Sequence, residues 1–362
     1  MSNIPTPEAV TAEWLTTQLN RNGVAGTVSS FEQKRVGTGQ IGMCFRYELT
    51  YLDSINDSTD ESTANAPTSL IGKFPSDDPS SRATGVQLRN FLKEVCFYQE
   101  MQSKLSINTP RCYFAEIVGE GPDFMLLLED LAPGEQGDQL QGCDAAIAEA
   151  AVTQLVGLHG PSWCDQSLRA LDWVGAPDPE ASAMVSGLYQ MVLPGFLERY
   201  GPGLDQAQQD ILAAYGTSTK IAPKDLTEPF SLIHIDYRLD NLLIDKTQQP
   251  PRITAVDWQS ITLGNPMTDV AYFIGAGMLP EDRRPVERQL VESYHTALTE
   301  FGIEYDFEQC WQDYRRATFA GFPVTVVASM LVQQTDRGDQ MFSVMADRHS
   351  RHALDLGAAE FL

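Results

Sequence analysis

The run Leu232-Ile-His-Ile-Asp-Tyr-Arg-Leu-Asp-Asn-Leu-Leu-Ile-Asp245, with Ala255-Val-Asp-Trp-Gln259 after it, constrains the fold of this chain most. Two apolar stretches flank a short polar turn that carries His234, Asp236 and Asn241. Read as strands, the segments around 242–244 and 253–257 form a hairpin closed by Asp-Lys-Thr-Gln-Gln-Pro-Pro. Such a hairpin brings Asn241 and Asp257 to the same end, beside Asp236. Two carboxylates and an amide oxygen are hard donors, suited to Mg²⁺ and to an activated hydroxyl. The plain alternative is a surface turn that happens to hold two aspartates.

Composition bounds the possibilities. A chain of 362 residues with 43% hydrophobic content can build one large or two medium domains around a real core. No apolar stretch approaches the length of a membrane span, and Met1-Ser-Asn-Ile-Pro-Thr-Pro7 lacks the basic and apolar regions of a signal peptide. The six cysteines show no Cys-x-x-Cys spacing, which fits reduced thiols in a cytoplasmic protein. A net charge of −24 repels phosphate backbones and anionic lipids, so neither nucleic acid nor membrane is an expected partner. That charge serves solubility, or it draws in a cationic acceptor; charge alone leaves both readings open.

Residues 43–52 alternate apolar and polar side chains, the period of a half-buried strand. The small polar residues 53–69 read as a mobile hairpin loop, followed by a strand at Leu70-Ile-Gly-Lys-Phe74. Helical spacing of apolar residues runs from about 83 to 105, starting at Leu88, and Phe124-Met-Leu-Leu-Leu128 reads as a buried strand. The breaker Glu129-Asp130-Leu131-Ala-Pro-Gly134 then marks a boundary. Beyond it come helices near 144–159, 283–301 and 307–334, with the polar turn and its hairpin between them. The layout is α+β: a mainly antiparallel sheet with one helix over 1–131, and a larger, mainly helical part over 132–362.

Gly37-Thr-Gly-Gln-Ile-Gly42 opens a strand rather than a helix, so Gly37, Gly39 and Gly42 belong to a strand–loop–strand that can lay backbone N–H groups over phosphate oxygens. Lys73 is an isolated cation in an apolar strand. At 100° per residue from Leu88, Glu94 falls at about 240°, between Tyr98 and Met101 on the apolar helix face. A carboxylate turned inward calls for a cation, and Lys73 can be that cation.

The spacing His-x-Asp-x-x-x-x-Asn, with Asp257 downstream, resembles the catalytic loop and metal-binding Asp of protein-kinase-like enzymes. Gly264, Pro266 and Asp269 in Leu263-Gly-Asn-Pro-Met-Thr-Asp-Val-Ala271 resemble the Gly-x-Pro-x-x-Asp-Leu-Ala signature of the aminoglycoside phosphotransferase and choline kinase superfamily. The Asp-Trp-Gln triplet looks most like its ecdysteroid-kinase-like branch. This resemblance implies a two-lobed kinase-like fold, with a nucleotide-binding lobe over 1–131 and a catalytic, acceptor-binding lobe over 132–362. It implies ATP as donor and Mg²⁺ as cofactor. Asp236 would orient the proton of the acceptor hydroxyl, and Asn241 and Asp257 would hold the metal. Lys73, oriented by Glu94, would hold the α- and β-phosphates. The glycines 37, 39 and 42 would cover the phosphates, and the hinge at Glu129 and Leu131 would meet adenine. His234 and Asp269 would support the loop, and His159 would be a packed helix-end histidine. There is no activation segment of protein-kinase length.

Two departures stand out. Ile235 replaces the usual Gly of the loop, and a branched side chain fits an extended backbone rather than a positive φ. Gln259 replaces a second acid, which favours one tightly held metal. For the acceptor, Trp311, Tyr314, Phe319, Phe322 and the 324–331 run form an apolar stripe that is core or, in part, pocket lining. A sterol, terpenoid or lipid-like alcohol is the first expectation. An aminoglycoside or amino alcohol is the second, with only Glu304, Asp306, Glu308 and Asp313 over 302–316 to receive it. A nucleotide-binding pseudokinase acting as a regulatory module is the rival of another class. Nothing in the sequence bears on oligomeric state.

Overall fold

A computed structural model describes residues 4–37, 41–52, 66–220 and 225–362. The chain forms two compact units. One holds the described residues up to Lys104, Thr109–Pro133 and the short return Asp257–Ser260; the other holds Leu105–Asn108, Gly134–Val256 and Ile261–Leu362.

The first unit is built on a five-stranded antiparallel sheet in the order β1-β2-β3-β5-β4. Its strands are β1 (Val28–Val36), β2 (Gly42–Tyr51), β3 (Ser69–Pro75), β4 (Cys112–Ile117) and β5 (Phe124–Glu129). Tyr47, Leu70, Phe74, Met125 and Leu127 pack with Leu15 and Leu19 of the helix Ala12–Arg21, which covers one face. That helix starts at Thr11, whose hydroxyl accepts from Trp14 N–H at 3.1 Å. The helix Ala12–Arg21 adds to the single helix expected over 1–131.

The expected helix over 83–105 is broken. It runs as Pro79–Gln87 and Asn90–Cys96, then as a wide turn Phe97–Met101. Arg89 between the two pieces is left-handed at φ 57°, and Leu88, the supposed first core position, is 56% exposed. One left-handed residue ends the first piece and restarts the second on a new axis, which an apolar period read along the chain does not register.

In the second unit, the helices Ala145–Gln154, Pro179–Tyr200, Gln206–Thr217, Met267–Gly277, Glu287–Glu300, Phe307–Ala317 and Asp336–Asp355 surround two small ladders. One joins β6 (Glu135–Gln136), β8 (Leu242–Asp245) and β9 (Arg252–Ala255); the other pairs β7 (Ser231–Ile233) with β10 (Thr262–Gly264). The expected hairpin is there, with Leu242 opposite Ala255 and Asp245 opposite Arg252.

Two helices start or stop elsewhere than expected. The one near 283–301 begins at Glu287, because Pro285 offers no N–H and bars a continuous helix from Arg283. The one expected over 307–334 ends at Ala317 and continues only as short irregular turns to Leu331. Gly321, Pro323 and the branched residues that follow disfavour a regular helix there. Most of the apolar stripe is core: Phe319, Phe322 and Val326 pack with Tyr189, Phe196 and Phe342.

Candidate active site

In the first unit, β3 carries Lys73 at the centre of the sheet, opposite Cys44 of β2 and Leu126 of β5. Lys73 Nζ lies 2.7 Å from Glu94 Oε2 and 2.9 Å from Asp257 Oδ1. The Lys73–Glu94 pair expected from helix phase is therefore formed, and Glu94 is 1% exposed. The bond from Lys73 to Asp257 spans 184 residues and has no local signal in the sequence.

Within this buried cluster Lys73 meets two carboxylates. Burial opposes the charge on Lys73, but Asp257 and then Glu94 outweigh it and raise the ammonium pKa. Burial lifts Glu94 to about 6; Lys73 pulls it down and Asp257 pushes it up. Cys44, beside Lys73, is pushed up to about 11 by burial and stays a neutral thiol.

The short return Asp257–Ser260 is pinned. Trp258 lies flat on Phe97, with centroids 3.9 Å apart and planes 8° apart, and Asn90 Nδ2 donates to Gln259 O at 2.9 Å. Asp257 itself takes a left-handed backbone at φ 68°. Gly42 is fitted against Lys73: a Cβ there would sit 3.2 Å from Lys73 Cε and from Phe74 O. Gly37 has φ 74°, a conformation that suits glycine. Gly39 lies outside the described residues.

At the expected hinge, Glu129 N–H donates to Arg111 O at 2.8 Å, and Glu129 Oε2 accepts from Arg111 N–H at 3.1 Å. Leu131 is half-buried. Asp130, which sequence reading passed over, accepts from Arg46 Nε at 2.6 Å and from Ser69 Oγ at 2.8 Å. These three line a cavity of about 520 Å³ together with Glu48 and Thr68.

In the second unit, β7 delivers the chain to His234. The buried Asp269 carboxylate accepts from His234 N–H at 2.6 Å and from Ile235 N–H at 2.8 Å, and His159 Nε2 lies 3.4 Å from it. His234 Nε2 is 3.0 Å from Val256 O. His159 is fully buried, with Nδ1 2.8 Å from the Tyr294 hydroxyl.

The extended backbone expected at Ile235 is not what forms. Its φ is +70°, a strained position for a branched residue, held because Asp269 takes both consecutive N–H groups. The turn thus keeps a glycine-like backbone without the glycine.

Asp236 follows, about a quarter exposed. Its Oδ1 accepts from Arg238 Nε at 2.9 Å and from Tyr272 OH at 3.0 Å; its Oδ2 accepts from Asn241 Nδ2 at 2.8 Å. Asn241 sits on the single turn Leu239–Asn241, and its carbonyl accepts from Val256 N–H at 3.0 Å. With the amide nitrogen committed to Asp236, the side-chain oxygen of Asn241 is the atom suited to a metal. Among the described residues no three His, Cys, Asp or Glu side chains gather as a metal site. A hard divalent cation that keeps waters and phosphate oxygens as ligands needs no such cage. Arg238 and Tyr272 were missed by sequence reading. Tyr272 stands three residues after Asp269 on one helix, and that same-face spacing was the available clue.

Comparison with known proteins gives the family and the fold. The model of the phosphotransferase enzyme family matches residues 70–304, and the chain belongs to that family. Comparison with curated proteins finds no match. Among solved structures, the GDP complex of wild-type aminoglycoside 2'-phosphotransferase-IIIa is similar at TM-score 0.53 and 14% identity, covering 94% of this chain and 99% of that one. A protein of Ralstonia eutropha JMP134, described as a candidate aminoglycoside phosphotransferase, is similar at TM-score 0.51 and 16% identity, covering 94% and 97%. At such identities the likeness speaks for the fold alone, and the fold is kinase-like. Among the described residues no helix is long and apolar enough to cross a membrane.

Proposed function

We propose that the protein is a cytoplasmic enzyme that moves the γ-phosphate of Mg·ATP to a hydroxyl of a rather apolar acceptor, a sterol, terpenoid or lipid-like alcohol. The observation that carries this reading is the triply hydrogen-bonded Asp236 beside an apolar set. Tyr272, which touches Asp236, packs with Ala276 and Met345, and Ala320, Val324 and Met341 lie against them. The Asp-Trp-Gln triplet supports placement near the ecdysteroid-kinase-like branch.

Residue roles follow from charge and reach. Lys73 binds the α- and β-phosphates and Glu94 holds its ammonium in place. The glycines at 37, 39 and 42 and the backbone at Glu129 and Leu131 receive the rest of the nucleotide. His234 and Asp269 fix the turn. Asn241 and Asp257 would hold Mg²⁺, since an amide oxygen and a carboxylate are the hard donors it takes. The metal supplies charge neutralisation on the phosphates when bound. Asp236 orients the acceptor hydroxyl and takes its proton. The acceptor oxygen bonds to the γ-phosphorus as the bond to the β,γ-bridging oxygen breaks, and ADP leaves.

An aminoglycoside or amino alcohol is the second reading, supported by a similar structure that is a GDP and kanamycin complex. Of the four acids expected to receive it, Glu304 and Glu308 are exposed, Asp306 caps the helix Phe307–Ala317, and Asp313 accepts from Tyr305 OH at 2.6 Å. Asp240 is paired with Arg238 and Arg337.

The test is ADP release from Mg·ATP over a panel of sterols, terpenoid alcohols, amino alcohols and aminoglycosides, with Asp236→Asn as control. Stimulation by the neutral alcohols, lost in the variant, is expected. Stimulation by kanamycin alone would transfer the reading to a cationic acceptor. Nucleotide binding without any turnover would leave a regulatory module.

A further inference from the structure

Asn241 belongs to the loop motif, but the two donors on Asp236 Oδ1 do not. Arg238 reaches past Asp236 to Asp240 at 2.7 Å, and Arg337 holds the same Asp240 at 3.2 Å. Tyr272 is 1% exposed, and burial followed by the Asp236 charge keeps its phenol protonated, so it is a donor. Its ring lies on the imidazole of His349, with centroids 5.2 Å apart. His349 has room only because two of its neighbours are glycines. A Cβ on Gly321 would sit 2.3 Å from the His349 ring; one on Gly275 would sit 3.1 Å from it and 2.4 Å from His352 Nδ1. A chain of contacts thus runs from two glycines through His349 and Tyr272 to Asp236.

A carboxylate has about four lone-pair sites, two on each oxygen. Arg238 and Tyr272 occupy both on Oδ1, and Asn241 occupies one on Oδ2. Among the described residues nothing takes the remaining site, on Oδ2. We propose that Tyr272 and Arg238 are positioning residues that hold Asp236 in a single rotamer, so that Oδ2 is the atom that receives the acceptor proton, with His349 as the buttress of Tyr272. The proposal rests on the reading of Asp236 as the group that takes the proton.

The test is a double-mutant cycle on ADP release from Mg·ATP, run with geraniol and, in parallel, with kanamycin A as acceptor. Tyr272→Phe removes one oxygen and leaves the ring on His349. It is expected to lower kcat by between roughly 10- and 100-fold, part of the 10²–10⁴ that a positioned base supplies, with KM for Mg·ATP unchanged. In an Asp236→Asn background the same change is expected to cost nothing further. Arg238→Lys, which can reach one acid but not fork between two, is expected to keep more activity than Arg238→Met. An equal loss from Tyr272→Phe in both backgrounds, or no loss in the wild type, would overturn the positioning role. A fully active Asp236→Asn single variant, or a wild type without turnover, would instead overturn the functional reading beneath it.

Discussion

Ile235 shows how a single backbone angle is decided by partners far along the chain. A branched side chain at φ +70° stores about 1–3 kcal/mol of strain. The Asp269 carboxylate, 34 residues on, over-determines the position by accepting from the N–H groups of both His234 and Ile235. Ile235→Gly should therefore leave stability within about 1 kcal/mol of wild type, since relieved strain offsets the lost half-buried side chain. The control is Ile233→Ala in β7, fully buried and extended, which should cost about 2–5 kcal/mol. Urea unfolding of both variants checks this; a loss at 235 as large as at 233 would show that the strain is not there.

Glu94 gives a second expectation of the same scale. Its folded pKa, about 6, lies above the 4.5 of an unperturbed glutamate. The folded form then holds the proton more tightly, so this contribution is fully present below pH 4.5 and is lost as pH rises through 6, roughly 2 kcal/mol in all. Glu94→Gln should remove that slope, which unfolding midpoints across pH 4–7 will show.

Among the elements, the glycines of the second unit divide into those that make room and those that do not. Gly275 lies inside the helix Met267–Gly277, and a Cβ there would stand 2.4 Å from His352 Nδ1. Gly321→Ala and Gly275→Ala should each cost about 1–3 kcal/mol by overpacking. Gly187, in the helix Pro179–Tyr200, has nothing within 4 Å of its virtual Cβ, and Gly187→Ala should stabilise by about 0.5–1 kcal/mol. Calorimetric melting distinguishes the two classes.

His349 on the helix Asp336–Asp355 titrates the other way from Glu94. Burial, with His352 and Arg348 adding to it, pushes its imidazole down to about 3. The unfolded state then binds the proton more tightly, so stability is full above pH 6.5 and falls as pH drops towards 3. His349→Phe should flatten that acid limb. An unchanged limb would mean that the imidazole is not buried as described.

For the whole molecule, a net charge of −24 sets a long-range field, and ionic strength reads whether catalysis uses it. A neutral alcohol acceptor predicts kcat/KM for the acceptor nearly flat between about 0.05 and 0.5 M salt. A polycationic acceptor steered by acidic surface predicts a steep fall over the same range, as the Debye length shrinks. This measurement is independent of the panel assay, since it depends on the field rather than on the pocket.

What could be read along the chain was whatever a few neighbouring residues decide by themselves. The alternation in β2, the turn residues between β8 and β9, and the inward phase of Glu94 all rest on local periods of two or 3.6. The spacing from His234 through Asn241 to Asp257, with Asp269 beyond, marked the family as a motif, which is read from residue identities along the chain. Tertiary structure alone decided the rest, because each missing feature is an interaction between side chains that no local period connects. Lys73 finds Asp257 across 184 residues, and Arg46 finds Asp130 across 84. Arg89 turns left-handed within an apolar period that continues unbroken through it. Tyr272 meets Asp236 because Asp269, on the same helix, is tied to the backbone of the turn that carries Asp236. A sequence names the groups a site needs; the packed chain sets which of their lone pairs are already taken.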